Sequence, residues 1–202
     1  MQVVLPDVET RASFELNSEP PLSDEEFFDL CMKNPDLRIE RHASGKINIM
    51  PPAGFETGYR NNDLSRQLGN WAISDGRGVA LDSSTEYLLA SGAARSPDAS
   101  WILKSRLAPL TKQQKRRFVH LCPDFVVELR SPSDRLPALK AKMEEWIENG
   151  AQFGWLIDAE LRTVCVYRPG KPVEELQGLD HVVGEGPVDG FRLDLDAIWE
   201  GV

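Results

Sequence analysis

The sequence predicts an α/β domain of the α+β kind, a mixed sheet with helices packed on it. Three observations carry this: short alternating or wholly apolar runs, two longer segments with apolar residues at helical spacing, and the interleaving of the two along one chain. At 202 residues, one core can be buried without disulfides or a structural metal. The domain is expected over 23–202, preceded by an arm at 1–22 that is broken by Pro6, Pro20 and Pro21 and has no sustained periodicity.

The first element is a short helix. Ser23 and Glu26 have capping-box spacing, Phe27, Phe28, Leu30 and Cys31 follow, and Pro35 closes the segment. Leu37, Ile39 and Arg41 alternate with Arg38, Glu40 and His42, and after a Ser-Gly turn Ile47 and Ile49 resume the alternation, which predicts a β-hairpin. From about Glu56 to Asp75, Leu64, Leu68, Trp71 and Ala72 recur at helical spacing, and Gly76 and Gly78 end the helix. VALDSSTEYLLASGAARSPDASWIL predicts two strands around a Gly-Ala-Ala turn, the second carrying Asp98.

Phe125, Val126, Val127 and Leu129 make a buried strand in which Glu128 is the polar interruption. A helix is expected over 135–149, with Leu136, Leu139, Met143, Trp146 and Ile147 on one face. FGWLID and TVCVYRP add two strands around AELR, and FRLDLDAIWE ends the domain as a strand edge and a helical turn.

Composition excludes several classes of function. Cys31, Cys122 and Cys165 lie far apart without a CxxC pair, which argues against a zinc ribbon, a thioredoxin-like site or a secreted disulfide framework. The acidic, proline-interrupted N-terminus lacks the features of a secretory signal, and no run of about 18 apolar residues offers a membrane span, so a cytoplasmic protein is expected. His42, His120 and His181 show no ligand spacing, and neither a phosphate-binding glycine loop nor a GxSxG motif is present. Net charge is −9, which weighs against a protein that grips nucleic acid through phosphates; the run 104–118, with six Lys or Arg and no acid, is the exception, either a basic patch or a solvated face.

The acids are the residues with chemical potential. An unpaired carboxylate in an apolar strand costs several kcal/mol unless something compensates it. For Glu128 and Asp98 that something is either a divalent cation, which takes carboxylate oxygens and activates water for phosphodiester hydrolysis, or a buried ion pair with Arg130, Arg95 or Arg38. Asp124 also follows a proline but lies four residues before Glu128 on one extended strand, about 13 Å away at roughly 3.3 Å per residue, too far to share a metal with it. Two residues after Glu128 stands Arg130, which stays protonated and is a poor base. Lys140 and Lys142 lie at the margin of the following helix's apolar stripe, either within reach of a metal-bound water or as ordinary solvated lysines.

RSPDASWI, CPDFVVELRSPSDRL, KMEEWIENGAQFGWLID and VYRPG, in this order, resemble a bacterial family described as "putative restriction endonuclease", within the PD-(D/E)xK nuclease superfamily. The resemblance runs from about Ser23 to Trp199. It implies a restriction-endonuclease-like core, a metal-dependent DNA endonuclease working with Mg²⁺ or Mn²⁺, and a homodimer. The family's aspartate falls on Asp98, its glutamate on Glu128, both as metal ligands, and its lysine, moved from the strand to the next helix, on Lys142. Glu40 matches a further recurrent acid, a site residue or a surface strand residue, and Thr57 stands where many members have a histidine. The alternative on the same fold is a non-catalytic dimeric nucleic-acid-binding or regulatory protein, which the acidic net charge favours.

Overall fold

The computed structural model describes residues 14–202, so most of the arm expected at 1–22 lies outside the described residues. What is described of it includes a strand, β1 (Phe14–Leu16), paired antiparallel with the hairpin. Helix α1 (Asp24–Met32) starts at the expected capping box: Ser23 Oγ accepts from the Glu26 backbone, and the Glu26 carboxylate accepts from the Ser23 backbone N–H. Strands β2 (Arg38–Arg41) and β3 (Ile47–Met50) form the expected hairpin. Helix α2 (Phe55–Asp75) ends at Gly76, whose φ of 74° is left-handed backbone that glycine adopts without strain.

Between α2 and the buried strand, the structure departs from the two strands expected. Four are present: β4 (Gly78–Asp82), β5 (Tyr87–Leu88), β6 (Ala94–Arg95) and β7 (Ala99–Leu103). The two middle ones join the hairpin in a five-stranded sheet, order β1-β3-β2-β6-β5, while the outer two belong to the main sheet. Two-residue strands leave no periodicity to read, which is why the excursion was invisible in the sequence. The chain therefore crosses from one sheet to the other over Ser96-Pro97-Asp98.

After β7 come a short helix α3 (Lys104–Leu107), strand β8 (Phe125–Leu129), helix α4 (Leu136–Glu148), and strands β9 (Phe153–Asp158) and β10 (Thr163–Tyr167). Strands β11 (Glu174–Gln177), β12 (His181–Val183) and β13 (Arg192–Asp194) and helix α5 (Asp196–Glu200) complete the fold. The main sheet has six strands in the order β11-β10-β9-β8-β7-β4, with β8 and β9 parallel, joined through α4, and the other pairs antiparallel. Such a parallel pair needs a crossover, and α4 supplies it.

The two faces of this sheet hold separate cores. Leu64 and Leu68 of α2 pack with Trp101, Phe125, Val127, Trp155 and Phe191 on one face. On the other, Met143 and Trp146 of α4 pack with Ile102, Val126, Leu156 and Tyr87. Gly154 permits the approach of α4: a Cβ there would stand 2.6 Å from Met143 Cε. Because side chains alternate along a strand, Glu128 shares the α4 face with Val126, and this fixes what it meets. A third cluster, Phe27, Leu30, Ile39, Ile47 and Ile49, joins α1 to the five-stranded sheet.

Candidate active site

The four acids and bases singled out in the sequence meet at the seam between the two sheets. Antiparallel pairing of Ala99 with Val127 brings Asp98 opposite Glu128. Asp98 Oδ2 accepts from the Leu129 backbone N–H at 2.8 Å, and its Oδ1 accepts from Asn61 Nδ2 of α2 at 3.1 Å. Glu128, 3% exposed, accepts from Trp146 Nε1 at 2.9 Å.

Lys142 reaches into the seam from α4. Its Nζ lies 2.9 Å from Glu128 Oε1 and 2.9 Å from Glu40 Oε1, and donates to the Ser96 carbonyl at 2.9 Å. Lys140, one helix margin away, pairs instead with Glu175 at 2.9 Å on the exposed side. Of the two lysines weighed in the sequence, it is Lys142 that contacts the acids of the seam. Asp124 is likewise accounted for: it accepts from Arg106 Nη1 at 2.8 Å and from the Leu103 backbone at 2.9 Å, as a residue that anchors the start of its strand.

Glu40 is 3% exposed, which overturns the surface alternative for it. Its strand is covered on both sides: Ile39 faces the α1 cluster, and Glu40 faces α4. Beyond Lys142 it accepts from Arg95 Nη1 at 3.2 Å and from the Ser96 backbone at 3.2 Å. Arg95 also donates to Glu145 at 2.6 Å and contacts His42 Nδ1 at 3.0 Å. Arg130 pairs with Asp158 at 2.6 Å, away from Glu128. Among the described residues no arginine forms an ion pair with Asp98 or Glu128, so of these three acids Glu40 is the one paired with an arginine.

Burial sets the protonation of the group. It pushes the Glu128 carboxyl up to about 7, with Lys142 opposing and the charges of Asp98 and Glu40 pushing further. Asp98 is also raised by burial, against the Leu129 N–H, Lys142 and Arg38. Glu40 ends below its ordinary value because the Lys142 and Arg95 cations outweigh its own burial. For Lys142, burial alone would lower the ammonium, but Glu128 and Glu40 more than offset it and hold the side chain protonated. Glu86, buried nearby and accepting from Ser96 Oγ at 2.5 Å, is pushed up to about 8 by burial and by the Glu40 charge.

Glu86, Trp146 and Asn61 were not singled out as site residues in the sequence, and Arg95, weighed there as a partner for Asp98 or Glu128, pairs with Glu40 instead. Trp146 and Asn61 sit on helices whose pattern was legible, Arg95 and Glu86 on or beside the two-residue strands that were not, and the convergence of all four on the acids carries no local signal.

Comparison with protein-family models matches residues 24–196 to the Uma2 model, described as "Putative restriction endonuclease". The chain belongs to the Uma2 family. No curated protein matches this Uma2 chain. A crystal structure at 1.96 Å resolution, described as "a putative nuclease belonging to DUF820" from Anabaena variabilis ATCC 29413, superposes with a TM-score of 0.73 at 22% identity. The match covers 89% of this chain and 98% of that one. At that identity the likeness establishes the fold, which is restriction-endonuclease-like, as expected of the Uma2 family. No helix among the described residues is long and apolar enough to cross a membrane.

Proposed function

We propose that the protein is a metal-dependent DNA endonuclease in which Asp98 and Glu128 hold Mg²⁺ or Mn²⁺ and Lys142 attends the reacting phosphate. The observation that carries this reading is an excess of acid: buried Glu40, Glu86 and Glu128 and half-buried Asp98 converge on the seam with Lys142 and Arg95 as the cations, and Arg95 is shared with Glu145. Uncompensated carboxylates at this depth raise their own pKa, and a divalent cation is the ligand that would reverse it. Among the described residues no group of three or more His, Cys, Asp or Glu is arranged for a metal. A two-carboxylate site suits Mg²⁺, which keeps several waters and shares its coordination with substrate phosphate.

When bound, the cation would supply Lewis-acid polarisation of the phosphate and an acidified water. The chain's own residues do the rest. The Leu129 N–H and Asn61 hold the Asp98 carboxylate in one orientation, and Trp146 does so for Glu128. Lys142, kept charged by Glu128 and Glu40, acts as a fixed cation for charge developing on the phosphate, with deprotonation of water disfavoured. Glu40, itself fixed by Arg95 and Ser96, positions that ammonium. All these groups come from one chain, so a homodimer would serve to cut a second strand.

The test is cleavage of supercoiled plasmid at low salt with Mg²⁺ or Mn²⁺, comparing wild type with Asp98→Ala and Lys142→Ala. Metal-dependent nicking, lost in both variants, is expected. Folded wild-type protein that cuts under none of these conditions would leave the non-catalytic binder, which the net charge of −9 favours.

A further inference from the structure

We propose that the cleft in front of Asp98 receives an unpaired DNA strand, with Arg38 on a phosphate and Phe55 against a base. The inference rests on the nuclease reading and names its substrate class.

A cleft of about 440 Å³ opens between the hairpin and the N-terminal half of α2, lined among others by Arg38, Pro52, Gly58, Asn61, Asn62 and Ser65. It leads to the site through Asn61, which bridges the cleft wall to Asp98. Asp98 is half-buried where Glu128 is closed off, so a strand reaching the acids arrives from the Asp98 side. Arg38 is near enough to Asp98 for its charge to act on that carboxyl, yet among the described residues its guanidinium has no ion-pair or hydrogen-bond partner. Asp36 and Asp82 also line the cleft, but Asp82 is turned onto Ser84, accepting from its hydroxyl at 2.6 Å.

Phe55 is the first residue of α2 and is 82% exposed, two residues after the cleft-lining Ala53, and its ring packs on no other aromatic ring among the described residues. It follows Ala53 and Gly54 and shares a helix face with Gly58 and Asn62, three and seven positions on. A bare aromatic ring on the helix face that lines the cleft, with a guanidinium on the cleft's other wall, suits a splayed nucleotide, since every base has a face to stack.

Charge separates this from a duplex grip. Holding duplex needs many phosphate contacts, and the chain's cationic run is elsewhere: 104–118 leaves the opposite end of β7 from Asp98, with Lys112, Lys115 and Arg116 exposed. With one free cation among its lining residues, the cleft must draw affinity from stacking, which only an unpaired base offers.

Fluorescence anisotropy would test this with a labelled short oligothymidylate and a duplex of the same length, with Ca²⁺ replacing Mg²⁺ to hold off cleavage. The single strand should bind more tightly than the duplex by about tenfold or more. Phe55→Ala should weaken single-strand binding about tenfold while leaving its salt dependence unchanged. Arg38→Ala should reduce the slope of log affinity against log salt by about 0.7, the share of one single-strand phosphate contact. Duplex binding equal to or tighter than single-strand binding, or a Phe55→Ala protein of unchanged affinity, overturns the proposal. Since binding is read without turnover, plasmid nicking by a wild type that fails this test would sink the strand preference and leave the nuclease reading intact.

Discussion

Lys142 and Glu40 meet across 102 positions of sequence, with Nζ 2.9 Å from Oε1, and this contact ties the crossover helix of the main sheet to the hairpin of the other. Through it a helix lysine and a strand acid act as one unit, with Glu128 as the third member.

Replacing Lys142 by Met should destabilise the protein at pH 8 by about 3–5 kcal/mol, because two buried carboxylates lose the cation they share. The loss should shrink at pH 5, where Glu128 and Glu40 can take up protons instead. Urea unfolding at both pH values checks this, and an equal loss at both would contradict the electrostatic account.

Glu86→Gln should flatten the pH dependence of stability. Folding raises the Glu86 carboxyl from 4.5 to about 8, so the fold favours its protonated form. Its contribution is complete below about pH 4.5 and is lost as pH rises through about 8. The variant should match wild type near pH 5 and exceed it at pH 9 in denaturant unfolding; a difference independent of pH would refute the assignment.

Much of this was legible in the sequence, and what was not has a physical cause. The capping box at Ser23, α2 with its Gly76 stop, the apolar strand carrying Glu128, and α4 all follow from local pattern, which each element writes into its own residues. Glu40 was ambiguous because alternation tells which residues share a face, not whether both faces are covered. Strands β11 and β12 were missed: Glu174–Gln177 is an exposed, polar edge held by its neighbour Thr163–Val166, with no apolar period of its own. Arg95 was weighed for Asp98 or Glu128 but pairs with Glu40, 55 positions away on the hairpin, and Glu86 was missed because it lies beside a two-residue strand with no pattern of its own.

Asp98→Asn should abolish nicking while leaving the melting temperature unchanged or slightly raised at neutral pH, since it removes a carboxylate that burial disfavours. Saturating Mg²⁺ should raise the melting temperature of wild type and not of the variant, by linkage. A variant stabilised by Mg²⁺ as much as wild type would exclude Asp98 as a ligand.

Gly69→Ala should stabilise the protein by about 0.5–1 kcal/mol. The position is inside α2, and an added Cβ there meets nothing within 4 Å. Thermal unfolding would register the gain; a loss would mean that the helix face at Gly69 is occupied in solution.

The acid-rich seam also bears on how the molecule breathes. Its charges are dehydrated only while the two sheets are closed, so the electrostatic penalty belongs to closure and not to either sheet alone. The gap between them is accordingly the cheapest place to admit water, and partial opening there relieves the carboxylates without melting either sheet. Amide exchange should be faster along β6 and the Ser96–Asp98 crossing than in β8 or β9, and a bound divalent ion would act as a latch that slows it.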